Sequence, residues 1–315
     1  MGAYGPSLPW VLAAALLVLS SLPIVWVTAG RPPTLPDWLG TVAASSALMA
    51  LTVWIGPWAF ASYWLRDALL AGFLVAVLYS ARRLRHAPAD RAAPSGIARG
   101  AAVAIKLGVF GLCTWGMVLA AAGSRHDGPA VELSFPLRDG TYAVLQGGYS
   151  PLTNPFHWSV PAERFAIDVV KLYRLRNRAR GVAPRDLSSY AVFSDPVFGP
   201  CAGEVVEAVD GLVDQPPGAP DPAHPAGNHV VIRCPSANVL LAHLWRSSVQ
   251  VRAGETVAPT DLIATVGNSG NTTEPHLHIS AWRDGALDSH GRSPLPMTFS
   301  GRFLTLNSVV VRHNE

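Results

Sequence analysis

His276 and His278 lie two residues apart in the run Glu274-Pro275-His276-Leu277-His278-Ile279, with Asp168 and His243 upstream. The run reads as a β-strand, whose side chains alternate, so both rings point to one face. Three imidazoles and a carboxylate suit metal-assisted hydrolysis: one ring binds a metal through a nitrogen lone pair while its neighbour moves protons for a water. A bare His-x-His pair describes two solvent-facing strand residues equally well, so context carries the reading. The pair follows Val266 to Thr273, where Gly267 and Gly270 are expected to take positive φ and Pro275 biases Glu274 toward an extended backbone. A tight loop thus delivers the chain straight into the histidine-bearing strand.

The elements able to hold such a site lie beyond residue 122. There, β-branched runs alternate with Gly, Pro, Asn and Asp. Val131 to Phe135, Tyr142 to Gln146, Phe165 to Val170, Gly203 to Val209, His229 to Arg233, Val239 to Leu244, Leu262 to Val266, Leu277 to Trp282 and Phe303 to Val311 all read as strands, which makes residues 123–315 an all-β domain. The stretch Lys171 to Tyr190 is a basic excursion, with Arg174, Arg176, Arg178, Arg180 and Arg185. It reads as a solvated loop or short helix, with contact to an anionic polymer or lipid headgroups as the sharper alternative. Asp214 to Asn228, rich in Gly, Pro and Asp, reads as a long surface loop. No phosphate-binding or dinucleotide-binding glycine motif and no Gly-x-Ser-x-Gly elbow appears in the sequence.

Residues 1–122 are almost all apolar. Four stretches, about Pro9 to Thr28, Leu39 to Phe60, Leu65 to Ala81 and Ala101 to Ala122, each approach the roughly 20 residues needed to cross a bilayer. No basic segment precedes the first, which argues against a cleaved signal peptide. This region holds eight basic and three acidic residues, a net of +5, and leaves −2 for the rest of a chain whose net charge is +3. The positive charge therefore belongs to the membrane region, and no nucleic-acid partner is expected. Arg82, Arg83, Arg85, Arg91 and Arg99 lie between the third and fourth stretches and place that loop in the cytoplasm by the positive-inside rule. Both termini and residues 123–315 then lie outside. In an oxidising compartment Cys201 and Cys234, beside two of the strands, are expected to pair; two buried free thiols are the alternative. Cys113 falls inside the fourth stretch and reads as a packing residue.

Several motifs occur in one order: Phe165-Ala166-Ile167-Asp168, Pro200 to Val206, Gly227 to Ile232, Leu241-Ala242-His243-Leu244, Val251 to Val257, and Gly267 through His278. In this order they resemble the lysostaphin-type zinc endopeptidases, family 23 of the metallopeptidases, over roughly Gly147 to Trp282. The resemblance implies a peptidoglycan hydrolase fold, one Zn2+ per chain and cleavage of cell-wall peptide bonds by a zinc-activated water. Behind the four spans it implies a multi-pass protein of the bacterial inner membrane. By position Asp168 and His278 become metal ligands, His276 the general base and His243 the group that stabilises charge on the tetrahedral intermediate. Three protein ligands leave a fourth tetrahedral position for water, whose pKa zinc lowers to about 7.

One position departs from the family pattern. The first ligand is usually a His four residues before the Asp, and that position holds Arg164, which cannot deprotonate to bind a metal. Either the site is degenerate or another histidine serves. His157, in Asn154-Pro155-Phe156-His157, is the candidate, as in what looks like a membrane-anchored branch of the family; His229 is the fallback. Glu274 either orients a catalytic histidine or faces water. The catalytic reading is a membrane-anchored endopeptidase. The alternative is an inactive wall-binding domain that regulates other hydrolases, and a plain anchor is the simplest role for the spans.

Overall fold

The apolar N-terminal segments fold into four helices, α1 (Leu8–Ala29), α2 (Leu35–Ile55), α3 (Tyr63–Arg85) and α4 (Gly96–Gly123). They belong to a computed structural model that describes residues 8–30, 32, 34–86, 95–283 and 292–313. All four are long and apolar enough to cross a membrane. Their bounds revise two expectations. α2 starts at Leu35 because Thr34 caps it, its hydroxyl accepting from the Asp37 amide, and ends at Ile55 before Gly56-Pro57 rather than at Phe60. α3 begins at Tyr63, capped by Ser62, and runs to Arg85, so the third segment is longer at both ends than Leu65 to Ala81. Arg82, Arg83 and Arg85 occupy its last turn, where cations complement the helix dipole, and Arg91 lies outside the described residues.

Beyond α4 the chain is mostly β, with strands β1 (Val131–Leu133) and β2 (Gly140–Gln146), a one-turn helix α5 (Pro155–Trp158), then β3 (Ile167–Lys171), β4 (Pro196–Phe198), β5 (Gly203–Val209), β6 (Asn228–Arg233), β7 (Asn238–Leu244), β8 (Thr256–Val257), β9 (Leu262–Thr265), β10 (Leu277–Trp282), β11 (Met297–Phe299), β12 (Arg302–Phe303) and β13 (Val309–Arg312). Short strands β4, β8 and β11 escape the sequence pattern, being too brief to show alternation. The expected strand Phe303 to Val311 is interrupted between β12 and β13, where Asn307 takes a φ of 65°, outside the extended region.

Eight strands form the main antiparallel sheet in the order β13-β2-β3-β10-β7-β6-β5-β8. One face packs Val169, Leu241, Leu277 and Ile279 into the principal core, and that cluster also contains Leu16, Trp58, Ala59 and Tyr63 of the helical region. The helices and the sheet thus share one core. The other face carries Leu240, Ala242 and Trp282 in a smaller cluster, beside the histidines. Cys201, just before β5, is bonded to Cys234, just after β6, with Cα atoms 5.9 Å apart, and joins the ends of two neighbouring strands.

The basic excursion is not a solvated loop throughout. Arg178 is fully buried, and its backbone amide donates to the Ala59 carbonyl (3.0 Å) in the turn between α2 and α3. Tyr63 N donates to the Arg176 carbonyl (3.1 Å), and Trp64 Nε1 to that of Arg174 (3.3 Å). Across the junction, Tyr63 Oη donates to Asn307 Oδ1 (2.8 Å), and Asn307 Nδ2 donates to the Trp54 (2.8 Å) and Gly56 (2.9 Å) carbonyls.

Candidate metal centre and cleft

Strand register brings the first pair together: β3 and β10 place Asp168 directly opposite His278. Asp168 Oδ1 lies 3.1 Å from His278 Nδ1, 3.3 Å from His276 Nε2 and 3.5 Å from His157 Nε2. His276 shares the face of His278, as alternation requires.

His243 reaches this face by breaking alternation. Leu240 and Ala242 of β7 lie on the histidine side and Leu241 in the main core, so strict alternation would send His243 into the core. A bulge between β6 and β7 and a φ of 63° at His243 turn it back, and Leu244 enters the core instead. A non-glycine residue in the left-handed region is strained, a feature concentrated at functional sites. The rings of His243 and His276 lie 4.8 Å apart, at 65°.

The loops behind these strands interlock. Gly270 takes φ +87°, as expected, and a Cβ there would stand 2.4 Å from Gly227 N. Gly267 does not take positive φ; it is needed because a Cβ would meet Asp214 Oδ1 and the Trp245 backbone at 2.4 Å.

His157 arrives on α5. Asn154, fully buried, fastens this turn by donating from Nδ2 to the carbonyls of Gly148 (3.2 Å), Arg164 (3.3 Å) and Ala166 (3.0 Å), and its Oδ1 accepts from His157 Nδ1 (2.8 Å). Arg164 points elsewhere, with its guanidinium 5.1 Å from the Trp158 ring centroid and 5.8 Å from that of Tyr149. His229 is held by the Gly227 carbonyl and Glu207 and belongs to neither metal-competent cluster.

Each ring has one nitrogen committed to an oxygen acceptor, which fixes the tautomer and turns the other inward. Nδ1–H of His243 donates to the Ser269 carbonyl (2.9 Å), and Nδ1–H of His276 to that of Glu274 (2.8 Å). His278 is reversed: its Nε2 faces Glu163 Oε2 (3.2 Å), so Nδ1 is the atom that meets Asp168. Glu163 is held in turn by Arg292 Nη1 (3.3 Å). Sequence reasoning missed Glu163, because no spacing distinguishes it from any loop glutamate. Glu274 does not face water; it is buried against Arg178.

The charges are strongly coupled. Burial opposes charging of His278, but hydrogen bonds and charge from Asp168 and Glu163 outweigh it and push its pKa up to about 10. Burial pushes His157 down to about 4 against the pull of Asp168. Burial and the neighbouring His276 and His278 hold His243 well below the ordinary histidine range. Asp168 is held well below the usual carboxylate range: burial opposes ionisation, and the charges of His157 and His276 overcome it.

Two overlapping groups bring donor atoms within 4.8 Å of one another, His157–Asp168–His278 and His243–His276–His278. The first offers two imidazole nitrogens, a carboxylate and oriented outer nitrogens; a divalent metal, which accepts mixed N and O ligands, would displace the proton that the carboxylates hold on His278. Both lie in an open cleft of about 1320 Å³.

Residues 189–289 match the family model described as Peptidase family M23, a span that contains His243, His276 and His278 but not His157 or Asp168. Similar solved structures include the catalytic domain of lysostaphin from Staphylococcus simulans, at 21% identity over 32% of this chain and 68% of that one, TM-score 0.25. A zinc-containing peptidase from Vibrio cholerae is 19% identical over 49% of this chain and 36% of its own, TM-score 0.28. The catalytic domain of the prophage-encoded protein EnpA from Enterococcus faecalis is 16% identical over 55% and 92%, TM-score 0.27. The chain spans 37% of the length of whole lysostaphin. No curated protein matches the chain.

Proposed function

We propose that this chain, which carries a peptidase family M23 domain at residues 189–289, is a membrane-anchored zinc endopeptidase that hydrolyses peptide bonds of cell-wall peptidoglycan. The observation that carries the proposal is the convergence of His157, Asp168 and His278 beside the His243–His276 pair in one cleft.

His157 Nε2, Asp168 Oδ1 and His278 Nδ1 would hold the zinc. Bound there, zinc supplies a Lewis acid that polarises the scissile carbonyl and acidifies water. His276, with Nδ1–H anchored on the Glu274 carbonyl, presents Nε2 as the base that removes a proton from the attacking water and later returns it to the leaving amine. His243 has its Nδ1–H committed to Ser269, so it donates from Nε2 only as an imidazolium. The oxyanion that forms beside it supplies the negative charge favouring that form. The inactive-regulator alternative rested on Arg164, and His157 beside Asp168 supports the catalytic reading instead.

The test uses the full chain in detergent, because helices and sheet share a core. Purified peptidoglycan is incubated with the zinc-loaded protein, with and without a chelator, and released fragments are identified by mass spectrometry. Chelator-sensitive peptide cleavage is expected; intact peptidoglycan from a zinc-containing, folded protein would overturn the reading.

A further inference from the structure

The cleft does not end at the peptidase residues. Its wall continues onto the ends of the apolar helices, through Pro9, Trp10 and Leu12 of α1, then Ile55, Pro57 and Phe60 around the turn after α2. The same cleft contains His157, Asp168, His243, His276 and His278. With 22 residues, α1 is about 33 Å long, so a spanning α1 fills a hydrocarbon core of roughly 30 Å and leaves Pro9 and Trp10 at its outer boundary. Trp10 is 58% exposed, the amphipathic ring expected at that depth.

The His157 turn adds further apolar surface to the same cleft. Phe156 and Val160, 38% and 36% exposed, flank His157 and line the cleft. Large apolar side chains lining the same cleft as the histidine cluster contribute little to binding a hydrated glycan–peptide polymer. They do fit a hydrocarbon chain that rises from the bilayer alongside them.

We infer that the preferred substrate is a peptide attached to a hydrocarbon anchor in the same membrane, its polar backbone crossing the histidine cluster while its anchor packs between Trp10 and the Phe156–Val160 wall. The inference rests on the peptidase reading above and narrows its substrate class. The geometry favours it for a second reason. A site fused to helix ends within the membrane is held close to the bilayer surface, so peptides anchored in that bilayer reach it by lateral diffusion.

The test reconstitutes the full zinc-loaded chain in phosphatidylethanolamine–phosphatidylglycerol vesicles. One peptidoglycan stem peptide is supplied in three forms at equal total concentration: water-soluble, linked to polyprenyl diphosphate, and N-palmitoylated. Expected is at least a tenfold faster initial rate for an anchored form. The two anchored forms distinguish a polyprenyl from an acyl source. Accumulation on the membrane alone would also raise the rate, so the decisive comparison is Trp10→Ser and, separately, Val160→Ser. Each should lower the anchored-to-soluble ratio at least threefold while zinc content is retained. Equal rates for the three forms, or an unchanged ratio in both variants, would overturn this inference and leave the peptidase reading intact. Cleavage of none of the three by zinc-containing protein would overturn both.

Discussion

Arg178 and Glu274 form a buried two-pronged ion pair, Nε to Oε1 at 2.5 Å and Nη2 to Oε2 at 2.6 Å, that ties the turn between two apolar helices to the loop carrying His276. On one side the Arg178 guanidinium lies 3.6 Å from the Phe60 ring centroid and its amide is bound to Ala59. On the other, the Glu274 carbonyl accepts the Nδ1 proton of His276. The helical region is thus packed against the residue two positions before His276.

Removing one partner of this pair leaves the other charge buried without compensation, a loss of about 3–5 kcal/mol. Arg178→Ala is therefore expected to lower the stability of the full chain by that amount in denaturant unfolding. Arg178→Lys should recover little of it, because an ammonium cannot make the fork or stack on Phe60. A loss under about 1 kcal/mol for the alanine variant would show that the pair is not the clamp described.

Glu163 should matter to the metal without binding it. By accepting from Nε2 of His278 it fixes the tautomer that leaves Nδ1 free for coordination. Glu163→Ala is expected to weaken zinc affinity about 10–100-fold in a chelator competition titration, the usual range for such outer partners. Glu163→Gln, which keeps an acceptor oxygen, should fall between the variant and the native protein. Unchanged affinity in the alanine variant would remove Glu163 from the site.

The sequence made the strand-borne part of this site legible and left the loop-borne part hidden. That His276 and His278 share a face follows from strand alternation, a local rule, whereas Asp168 is placed with them by the family resemblance, since its pairing with His278 spans 110 positions. His243 is in a recognisable segment, yet its orientation depends on a bulge and a left-handed backbone that no periodicity reveals. His157 is reachable from the sequence because Arg164 cannot serve and because the membrane-anchored branch of the resembled family carries a His in this upstream loop. Glu163, Arg178 and the docking of the α2–α3 turn were invisible, since each depends on a contact between residues about 100 or more positions apart whose side chains carry no repeating signal. The basic excursion looked solvated because charge normally is; burial of Arg178 required a partner the pattern could not place.

The Cys201–Cys234 bond closes a loop with a sequence separation of 33 across the ends of β5 and β6. Chain entropy gives such a crosslink about 3–4 kcal/mol. Cys201→Ser/Cys234→Ser is expected to unfold at lower denaturant concentration by that amount while retaining zinc, since neither cysteine is in a metal-competent group. Loss of metal from the folded double variant would show that the bond also shapes the cleft.

The two overlapping donor groups, both using His278, make opposite demands on single variants. If His157, Asp168 and His278 hold zinc, His157→Ala and His278→Ala lose the metal, whereas His276→Ala keeps it and loses turnover by about 10²–10⁴-fold, the range for a general base. If His243, His276 and His278 hold it, His276→Ala loses metal and His157→Ala does not. Asp168 makes the first assignment the stronger on physical grounds, because a carboxylate offsets the charge of a divalent ion that three neutral rings leave uncompensated. Metal content by mass spectrometry on the four variants His157→Ala, His243→Ala, His276→Ala and His278→Ala, each confirmed folded, decides it. Zinc retained by the His157 variant and lost from the His276 variant would move the metal across the cleft and make His157 a neighbour of the centre.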